Sequence, residues 1–294
     1  MIVSASRRTD IPAYYGRWLT ERIRCGFCEV ANPFNPKQIK RVELAPELVE
    51  CIVFWTRNPK SLFPYLGELD SRGFLYYFTY TVLAYPRYFE PQLPALESRL
   101  TMFKRIADHV GPSRVVWRYD PILFTEVTGP QFHLEQFERL CEELSGFTDT
   151  VMVSLFDSYR KLEPRMRRLA EAGAGRTYLE DEPAQLIATL GRMREIAAAH
   201  QITMRSCAED HDLTGTGITE GACIDPDRIE TLLGRNIERS KDSGQRRLCN
   251  CIPSVDIGAY DTCPAGCAYC YATGRPERVS ERYRRHDPDA SRLA

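Results

Sequence analysis

The sequence predicts an α/β protein built on a parallel sheet, in the form of a full or partial TIM-like (β/α) barrel. Short segments rich in β-branched and aromatic residues recur along the 294 residues, and their nearly continuous apolar character suits strands that are buried on both faces. Amphipathic stretches lie between most of these segments. Strands that alternate with helices pair in parallel through right-handed crossovers, and six or more such units commonly curl into a barrel. An open, doubly wound sheet is the alternative.

The predicted elements alternate along the chain. The six candidate strands are Ile2–Ser6, Cys51–Thr56, Phe74–Thr81, Arg114–Tyr119, Thr150–Phe156 and Ile202–Ser206. One helix is predicted from about Ala95 to Val110, a second from about Gln131 to Leu144, and a third opens at Asp181-Glu182-Pro183. The Gly- and Thr-rich stretch from Thr214 to Asp225 predicts a loop, followed by a short helix.

Composition narrows the class of protein. Hydrophobic residues make up 43% and charged residues 27% of the chain, which is typical of a globular protein that folds in water. No apolar run is long enough to span a bilayer and the N-terminus lacks the pattern of a signal peptide, so we expect a cytoplasmic protein without a membrane partner. The net charge of −1 gives no global electrostatic reason to bind nucleic acid, although basic clusters at Arg7-Arg8, Arg246-Arg247 and Arg275 to Arg285 leave contact with phosphates open.

Polar side chains follow the predicted strands where these end, which is where parallel α/β folds carry their functional groups. The candidate site residues at these positions are Ser6, Arg7, Arg8, Asp10, Thr56, Arg57, Arg118, Tyr119, Asp120, Asp157 and Glu209. Asp10 before Ile11-Pro12 and Asp120 before Pro121 also fit the alternative role of a helix N-cap.

Cysteine is unusually frequent for a chain without an export signal, and metal binding is its natural use in a reducing compartment. Seven of the eleven cysteines fall in the last third: Cys207, Cys223, Cys249, Cys251, Cys263, Cys267 and Cys270. The spacing Cys263-x-x-x-Cys267-x-x-Cys270 places three thiols on one compact loop, in which Pro264 and Gly266 supply turns. Cubane 4Fe-4S clusters usually take four cysteines, so three ligands leave one iron open to a non-protein ligand.

This loop resembles the cluster motif of the radical S-adenosylmethionine (SAM) superfamily, and Tyr269 matches the aromatic residue that commonly precedes its third cysteine. The resemblance implies a 4Fe-4S cluster whose open iron chelates the amino and carboxylate groups of SAM. One electron then cleaves SAM to a 5′-deoxyadenosyl radical. Two alternatives stay open: a zinc site with a fourth ligand from Cys249, Cys251 or His286, and a redox dithiol. A c-type haem is excluded because Tyr271, not His, follows Cys270.

The loop lies near the end of the chain, whereas radical SAM proteins carry it after their first strand. Circular permutation reconciles the two, because the termini of a closed barrel are neighbours. The segment from Ser254 to Gly258 is then the permuted first strand and should lie beside Ile2–Ser6, and the arginine-rich stretch after the loop becomes the following helix. We therefore expect a single radical-SAM-like α/β barrel domain over residues 1–294, with a cysteine-rich cluster-binding region at 207–274.

The whole chain also resembles the uncharacterised domain-of-unknown-function family 1848, which is noted for a C-terminal cysteine cluster like the N-terminal one of radical SAM proteins. The resemblance is carried by Ser4-Ala5-Ser6-Arg7-Arg8-Thr9-Asp10-Ile11-Pro12, Phe54-Trp55-Thr56-Arg57-Asn58-Pro59, Trp117-Arg118-Tyr119-Asp120-Pro121 and the terminal cysteine-rich segment. This family has no established reaction, so the resemblance supports cofactor and fold and leaves the substrate open.

The other cysteines form further candidates. Cys207, Cys223, Cys249 and Cys251 are enough for a second iron–sulfur cluster or a structural zinc, or they are plain loop thiols. The Cys25-x-x-Cys28 spacing follows a helix and favours a coincidence of packing.

The cluster hypothesis assigns roles to the polar strand ends. Arg7, Arg8, Arg57 or Arg118 would bind the SAM carboxylate or an anionic substrate, because a guanidinium binds a carboxylate through two hydrogen bonds. Asp120, Asp157 or Glu209 would hold the ribose hydroxyls or the amino group. The predicted catalytic residues are Arg118, Tyr119 and Asp120, and the predicted cofactor-binding residues are Ser6, Arg7, Arg8, Asp10, Thr56, Arg57, Asp157, Glu209 and Tyr269.

The sequence thus favours a radical SAM enzyme that acts on an unknown small molecule and receives its electron from a reductase, flavodoxin or ferredoxin. Within this class, Cys267 to Ala272 resembles the cluster loop of spore photoproduct lyases, which repair DNA, although a nearly neutral chain argues against that substrate. The alternative is a metal-binding protein without radical chemistry, either zinc-stabilised or an iron–sulfur electron carrier.

Overall fold

A computed structural model describes residues 1–177 and 183–294. The strands are β1 (Ile2–Ala5), β2 (Phe27–Asn32), β3 (Asn35–Glu43), β4 (Cys51–Thr56), β5 (Tyr76–Thr81), β6 (Val115–Ile122), β7 (Thr150–Leu155), β8 (Thr203–Ser206), β9 (Thr219–Glu220) and β10 (Val255–Asp256). The α-helices are α1 (Ile11–Tyr14), α2 (Gly16–Cys25), α3 (Leu66–Ser71), α4 (Leu96–Val110), α5 (Pro130–Leu144), α6 (Glu163–Leu169), α7 (Pro183–Ala199), α8 (Pro226–Leu233) and α9 (Pro276–Arg285).

Eight of the strands form one parallel sheet in the order β10-β1-β4-β5-β6-β7-β8-β9. The last strand lies beside the first, with Val3 paired to Val255 and Ser4 to Asp256. This pairing confirms the position predicted for the segment from Ser254 to Gly258. Among the described residues the edge strands β10 and β9 do not pair with each other, so the sheet is open and closure into a full barrel is not observed.

Most predicted elements are confirmed within a few residues, because each carries its own pattern of apolar side chains. All six predicted strands, the helices α4, α5 and α8, and the arginine-rich helix α9 are present. Helix α7 begins at Pro183, while Asp181 and Glu182 lie outside the described residues. None of the helices in the described part of the chain is long and apolar enough to cross a membrane.

The antiparallel hairpin of β2 and β3 is not predicted in full from the sequence. Strand β3 reads Asn-Pro-Lys-Gln-Ile-Lys-Arg-Val-Glu, and its first seven residues are exposed. Such a polar stretch lacks the apolar alternation by which a strand is recognised. Pairing with β2 therefore makes it a strand. Beside it, Cys25 is exposed and Cys28 is buried, as expected of a chance spacing.

The two faces of the sheet bury different parts of the chain, because neighbouring residues of a strand point to opposite sides. One face packs Phe54, Phe78 and Trp117 into a large core with the helices. On the other face, side chains from five strands, β1 and β4 to β7, share one apolar cluster with Cys223, Ile224 and the neighbourhood of Cys251. The segment between β8 and β10 therefore fills the second face of the sheet.

Candidate active site

A cavity of about 350 Å³ is lined by residues at the carboxyl ends of the strands and by the C-terminal loop. Of the predicted site residues it gathers Ser6, Arg7, Arg8, Asp10, Thr56, Arg57, Arg118, Asp120, Asp157, Tyr269, Cys207, Cys223, Cys249, Cys251, Cys263, Cys267 and Cys270. Parallel pairing explains this gathering, because it brings the carboxyl ends of all eight strands to the same edge. Tyr119 and Glu209 do not line the cavity.

Tyr119 faces the helices instead, because it lies next to the inward-pointing Arg118 on strand β6. Its ring is fully buried against Trp117 and Phe137, and its hydroxyl lies 2.9 Å from Nδ1 of His133. Tyr119 and Trp117 therefore belong to the core and not to the wall of the cavity. The strand pattern contained this information, since Arg118 and Tyr119 are neighbours on β6 and point to opposite faces of the sheet.

Glu209 and Asp120 are held in ways that the sequence did not predict. The Glu209 carboxylate accepts hydrogen bonds from the backbone N–H of Leu155, at 2.9 Å, and of His211, at 3.2 Å. These contacts fix the loop after β8 rather than face the cavity. Asp120 lies inside strand β6 and does not cap a helix; its carboxylate accepts hydrogen bonds from Arg118 and from the Ser154 hydroxyl.

Asp10 has the predicted capping role and also lines the cavity. Its Oδ1 accepts from the backbone N–H of Ala13 at 3.0 Å at the start of α1, and its Oδ2 accepts from the backbone N–H of Arg57 at 2.7 Å. Burial raises the pKa of Asp10 to about 6, and these hydrogen bonds oppose the shift. Asp10 thereby joins the ends of β1 and β4.

The cysteine loop is closed at its base by Asp261. The Asp261 N–H donates to the carbonyl of Ala272 at 3.1 Å, and its Oδ1 accepts from the N–H groups of Gly274, at 2.5 Å, and Arg275, at 2.9 Å. Gly266 provides a left-handed backbone turn with φ of +68°, which a residue without Cβ adopts readily. A closed base and an internal turn keep the three thiols on one compact loop.

Side chains from other elements hold the loop against the sheet. The Tyr15 hydroxyl donates to the carbonyl of Thr262 at 2.6 Å. Arg165 of α6 donates to the carbonyls of Cys270, at 2.5 Å, and Thr273, at 2.7 Å. The Tyr271 hydroxyl donates to the carbonyl of Arg7 at 3.0 Å, which ties the end of the loop to the residues after β1.

Glu90, a buried acid that is not among the residues predicted from the sequence, supports the cysteine loop. Glu90 is 3% exposed and accepts hydrogen bonds from the Tyr269 hydroxyl and from Arg57, while Nη1 of Arg99 lies 3.3 Å from its Oε2. Next to it, the carbonyl of Phe89 accepts from the backbone N–H of Ala268 at 2.9 Å. Glu90 lies in a connection between two predicted elements, where the sequence has no periodicity that marks a residue as buried.

Guanidinium groups form another part of the cavity wall. The ring of Trp55 lies against Arg7 and Arg118, whose Cζ atoms are 5.2 Å and 4.8 Å from the ring centroid. Burial lowers the pKa of Arg118, but several neighbouring acidic groups, the Asp120 carboxylate first among them, together outweigh burial and leave that pKa raised. The cavity thus holds fixed positive charges and a flat aromatic surface, a combination suited to a ligand with both an anionic and a planar part.

The four cysteines upstream of the loop meet one another. Sγ of Cys207 lies 3.1 Å from Sγ of Cys223, and all four side chains line the same cavity. The neighbouring Cys223 and Cys249 lower the pKa of Cys251. We call these four side chains the thiol quartet and Cys263, Cys267 and Cys270 the loop triad.

The loop triad has the donor chemistry of a three-thiolate ligand set for iron. Burial raises the pKa of Cys263 to about 12 and also raises the pKa of Cys267, so ligation must displace thiol protons, as metal ions do. In residues 1–177 and 183–294, no group of three or more His, Cys, Asp or Glu side chains is arranged as a site that could hold a metal ion. Ligation therefore also requires the thiols to turn toward a common centre. His286 packs against Tyr15 and is not among the residues that line this cavity.

Fold and site together define a parallel α/β protein with a cysteine-lined cavity at the carboxyl edge of its sheet. The chain belongs to the family described as Domain of unknown function (DUF1848), whose model matches residues 2–272. The matched region includes every strand of the sheet, the thiol quartet and the loop triad. Among curated proteins, none matches the chain.

Proposed function

We propose that this protein is a radical SAM-type enzyme, in which Cys263, Cys267 and Cys270 hold a 4Fe-4S cluster. One observation carries the proposal: the three thiols of a single loop line the same cavity as the polar residues at the carboxyl ends of the parallel strands. When bound there, the cluster supplies the electron that cleaves SAM to a 5′-deoxyadenosyl radical. The substrate is a small molecule of unknown class, which the near-neutral charge favours over DNA.

The proposed architecture is a partial (β/α) barrel, permuted so that its first unit comes last in the chain. Strand β10 lies beside β1, the loop triad follows β10, and helix α9 follows the loop. The shared apolar cluster on one face of the sheet also supports curvature, because side chains from five strands belong to the same cluster as residues of the segment between β8 and β10. In an enzyme of this shape, that segment occupies the interior side of the strands.

Two groups of cavity residues have separable roles in the proposal. Arg57 is engaged by Glu90 and by its own backbone contact with Asp10, so it positions Tyr269 and the loop rather than binding a ligand carboxylate. Arg118 has a buried Nε without a hydrogen-bond partner among the described residues and lies against Trp55. Arg118 is therefore the guanidinium that we assign to the carboxylate of SAM or of the substrate, with Asp120 holding it in place.

The function is tested by anaerobic purification, reconstitution with iron and sulfide, and addition of SAM and dithionite. We expect about four irons per chain in the loop triad, an electron paramagnetic resonance signal on reduction that changes when SAM is added, and formation of 5′-deoxyadenosine. In the cell a reductase, flavodoxin or ferredoxin takes the place of dithionite.

Two variants make this test specific. Cys270→Ala should abolish 5′-deoxyadenosine formation, whereas Cys25→Ala, at an exposed thiol outside the cavity, should leave it unchanged. An iron–sulfur protein that leaves SAM intact, or a colourless zinc protein in which Cys270→Ala changes nothing, would establish the alternative of a metal-binding protein without radical chemistry.

A further inference from the structure

The thiol quartet is assembled from three separate parts of the chain. Cys207 follows β8, Cys223 follows β9, and Cys249 and Cys251 belong to the segment before β10. Cys223, Cys249 and Cys251 are each at most 6% exposed. All four side chains nevertheless line one cavity, and Sγ of Cys207 lies 3.1 Å from Sγ of Cys223. Thiols from distant positions do not need to meet in order to fill an apolar core.

A hydrogen-bond donor and two positively charged side chains lie in the surroundings of the quartet. The backbone N–H of Ile224 donates to Sγ of Cys251 at 3.3 Å, a contact that stabilises a thiolate. Arg7 and Arg118 line the same cavity as the four thiols. Two guanidinium groups are therefore available to offset the charge that the sulfurs carry once they are ionised.

We propose that Cys207, Cys223, Cys249 and Cys251 bind one zinc ion in a tetrahedral site, separate from the loop triad. Zn–S bonds of about 2.3 Å in a tetrahedron place the four sulfurs roughly 3.8 Å apart. The observed separation of 3.1 Å between Cys207 and Cys223 is close to this value. In the described residues the four side chains are not arranged as a metal site, so zinc binding also requires the thiols to turn toward a common centre. On binding, the four thiols release four protons to solvent, and the resulting charge of −2 on the site is offset by Arg7 and Arg118.

The short distance between Cys207 and Cys223 argues against a second iron–sulfur cluster. In a cubane each cysteine sulfur ligates a different iron, so the ligand sulfurs lie much farther apart than around a single ion. Two sulfurs 3.1 Å apart fit a mononuclear site better. Bound there, zinc would join the segment between β8 and β10 at three points and hold it against the inner face of the sheet. The structural role does not depend on the proposed radical chemistry.

The test uses the full chain with the loop triad replaced, Cys263→Ala/Cys267→Ala/Cys270→Ala, so that only the quartet is available. After dialysis against zinc and removal of excess metal, we expect about one zinc per chain by elemental analysis. Co²⁺ added in place of zinc should give the intense visible absorption of tetrahedral cobalt and the near-ultraviolet charge-transfer bands of cobalt–thiolate bonds. Cys223→Ser in this background should lose both, and Cys25→Ser should lose neither.

A measurement on the wild-type chain tests the proposal even if these variants misfold. X-ray absorption at the zinc edge should show four sulfur neighbours at about 2.3 Å. The proposal is overturned by any of three results: no tetrahedral cobalt spectrum and no zinc, iron and sulfide bound in the triple variant as a second cluster, or a Cys207–Cys223 disulfide in the anaerobically purified protein. SAM cleavage plays no part in these readouts, so a failure of the radical hypothesis would leave them unaffected.

Discussion

The loop triad and the thiol quartet line one cavity, yet they are built in opposite ways. The triad lies on eight consecutive residues and is held from outside by Tyr15, Arg165 and the buried acid Glu90. The quartet comes from positions up to 44 residues apart in number, Cys207 to Cys251, and contains one direct sulfur contact, between Cys207 and Cys223. The loop triad is a local motif that is supported by tertiary contacts. The thiol quartet exists only because distant parts of the chain come together in the fold.

This difference predicts different sensitivities. Changes in the outer supports should loosen the triad and leave the quartet intact, because the quartet shares no hydrogen bond with Glu90 or Arg165 in the described structure. The reactivity of individual cysteines toward a thiol reagent, measured by mass spectrometry of peptides, reports on each group separately.

The largest effect is expected for Glu90→Ala. This change leaves the buried guanidinium groups of Arg57 and Arg99 without their carboxylate partner, which typically costs about 3–5 kcal/mol of unfolding free energy. Urea denaturation followed by circular dichroism measures the loss, and Cys267 should react faster than Cys223.

Glu97→Ala is the control: it removes an acid from an exposed ion pair with Arg139 and should cost less than about 1 kcal/mol. An equal increase in the reaction rates of Cys267 and Cys223 would contradict the prediction that the triad and the quartet respond separately.

A smaller effect is expected on acidification, through His133. Burial lowers its pKa to about 4, from an ordinary value near 6.5, so the unfolded chain binds the proton more readily than the folded one. The stability that His133 contributes is therefore complete above pH 6.5 and is lost as the pH falls toward 4, by about 2 kcal/mol between pH 7 and 5. His133 contacts Tyr85, whose ring contacts Tyr269 of the cysteine loop. The loss of stability on acidification should therefore affect the loop triad before the quartet.

The measurement compares unfolding free energies at pH 7 and pH 5 in wild type and in His133→Gln. The variant should be less stable at pH 7, because it disturbs the contacts of His133 with Tyr119 and Leu123, but its stability should fall less on acidification. Equal slopes in the two proteins would show that His133 is not held neutral by the core.

The smallest effect is expected for Asp256→Asn, which weakens the contacts between β10 and the residues that follow β1. The Asp256 carboxylate accepts hydrogen bonds from the Ser6 hydroxyl at 2.7 Å and from the N–H groups of Arg7, at 2.8 Å, and Gly258, at 3.0 Å. An amide has one oxygen fewer to accept them, so we expect a loss of about 1 kcal/mol in denaturant unfolding. Asp227→Asn, at an exposed acid, is the control. Triad and quartet should become more reactive to a similar extent, and a change confined to one would contradict a shared role of β10.

The elements of the fold could be read from the sequence to the extent that their patterns are local. Six apolar segments and the helices between them carry their own periodicity, and β10 was located by its place before the cysteine loop. The polar strand β3 carries no such pattern, and the burial of Glu90 depends on Arg57, Arg99 and Tyr269, which are far from it in the chain. Tyr119 was assigned to the site although the alternation along β6 directs it to the core.

The sequence by itself determined that three cysteines share one turn-rich loop, because ligand spacing is a property of consecutive residues. It also determined that polar groups follow the strands of a parallel sheet. Only the tertiary structure decided that four further thiols meet in the same cavity, since their contacts arise from how the segment between β8 and β10 packs on the sheet. Tertiary structure also decided which polar groups are free: Glu90 engages Arg57, whereas Nε of Arg118 lies at the cavity without a partner among the described residues.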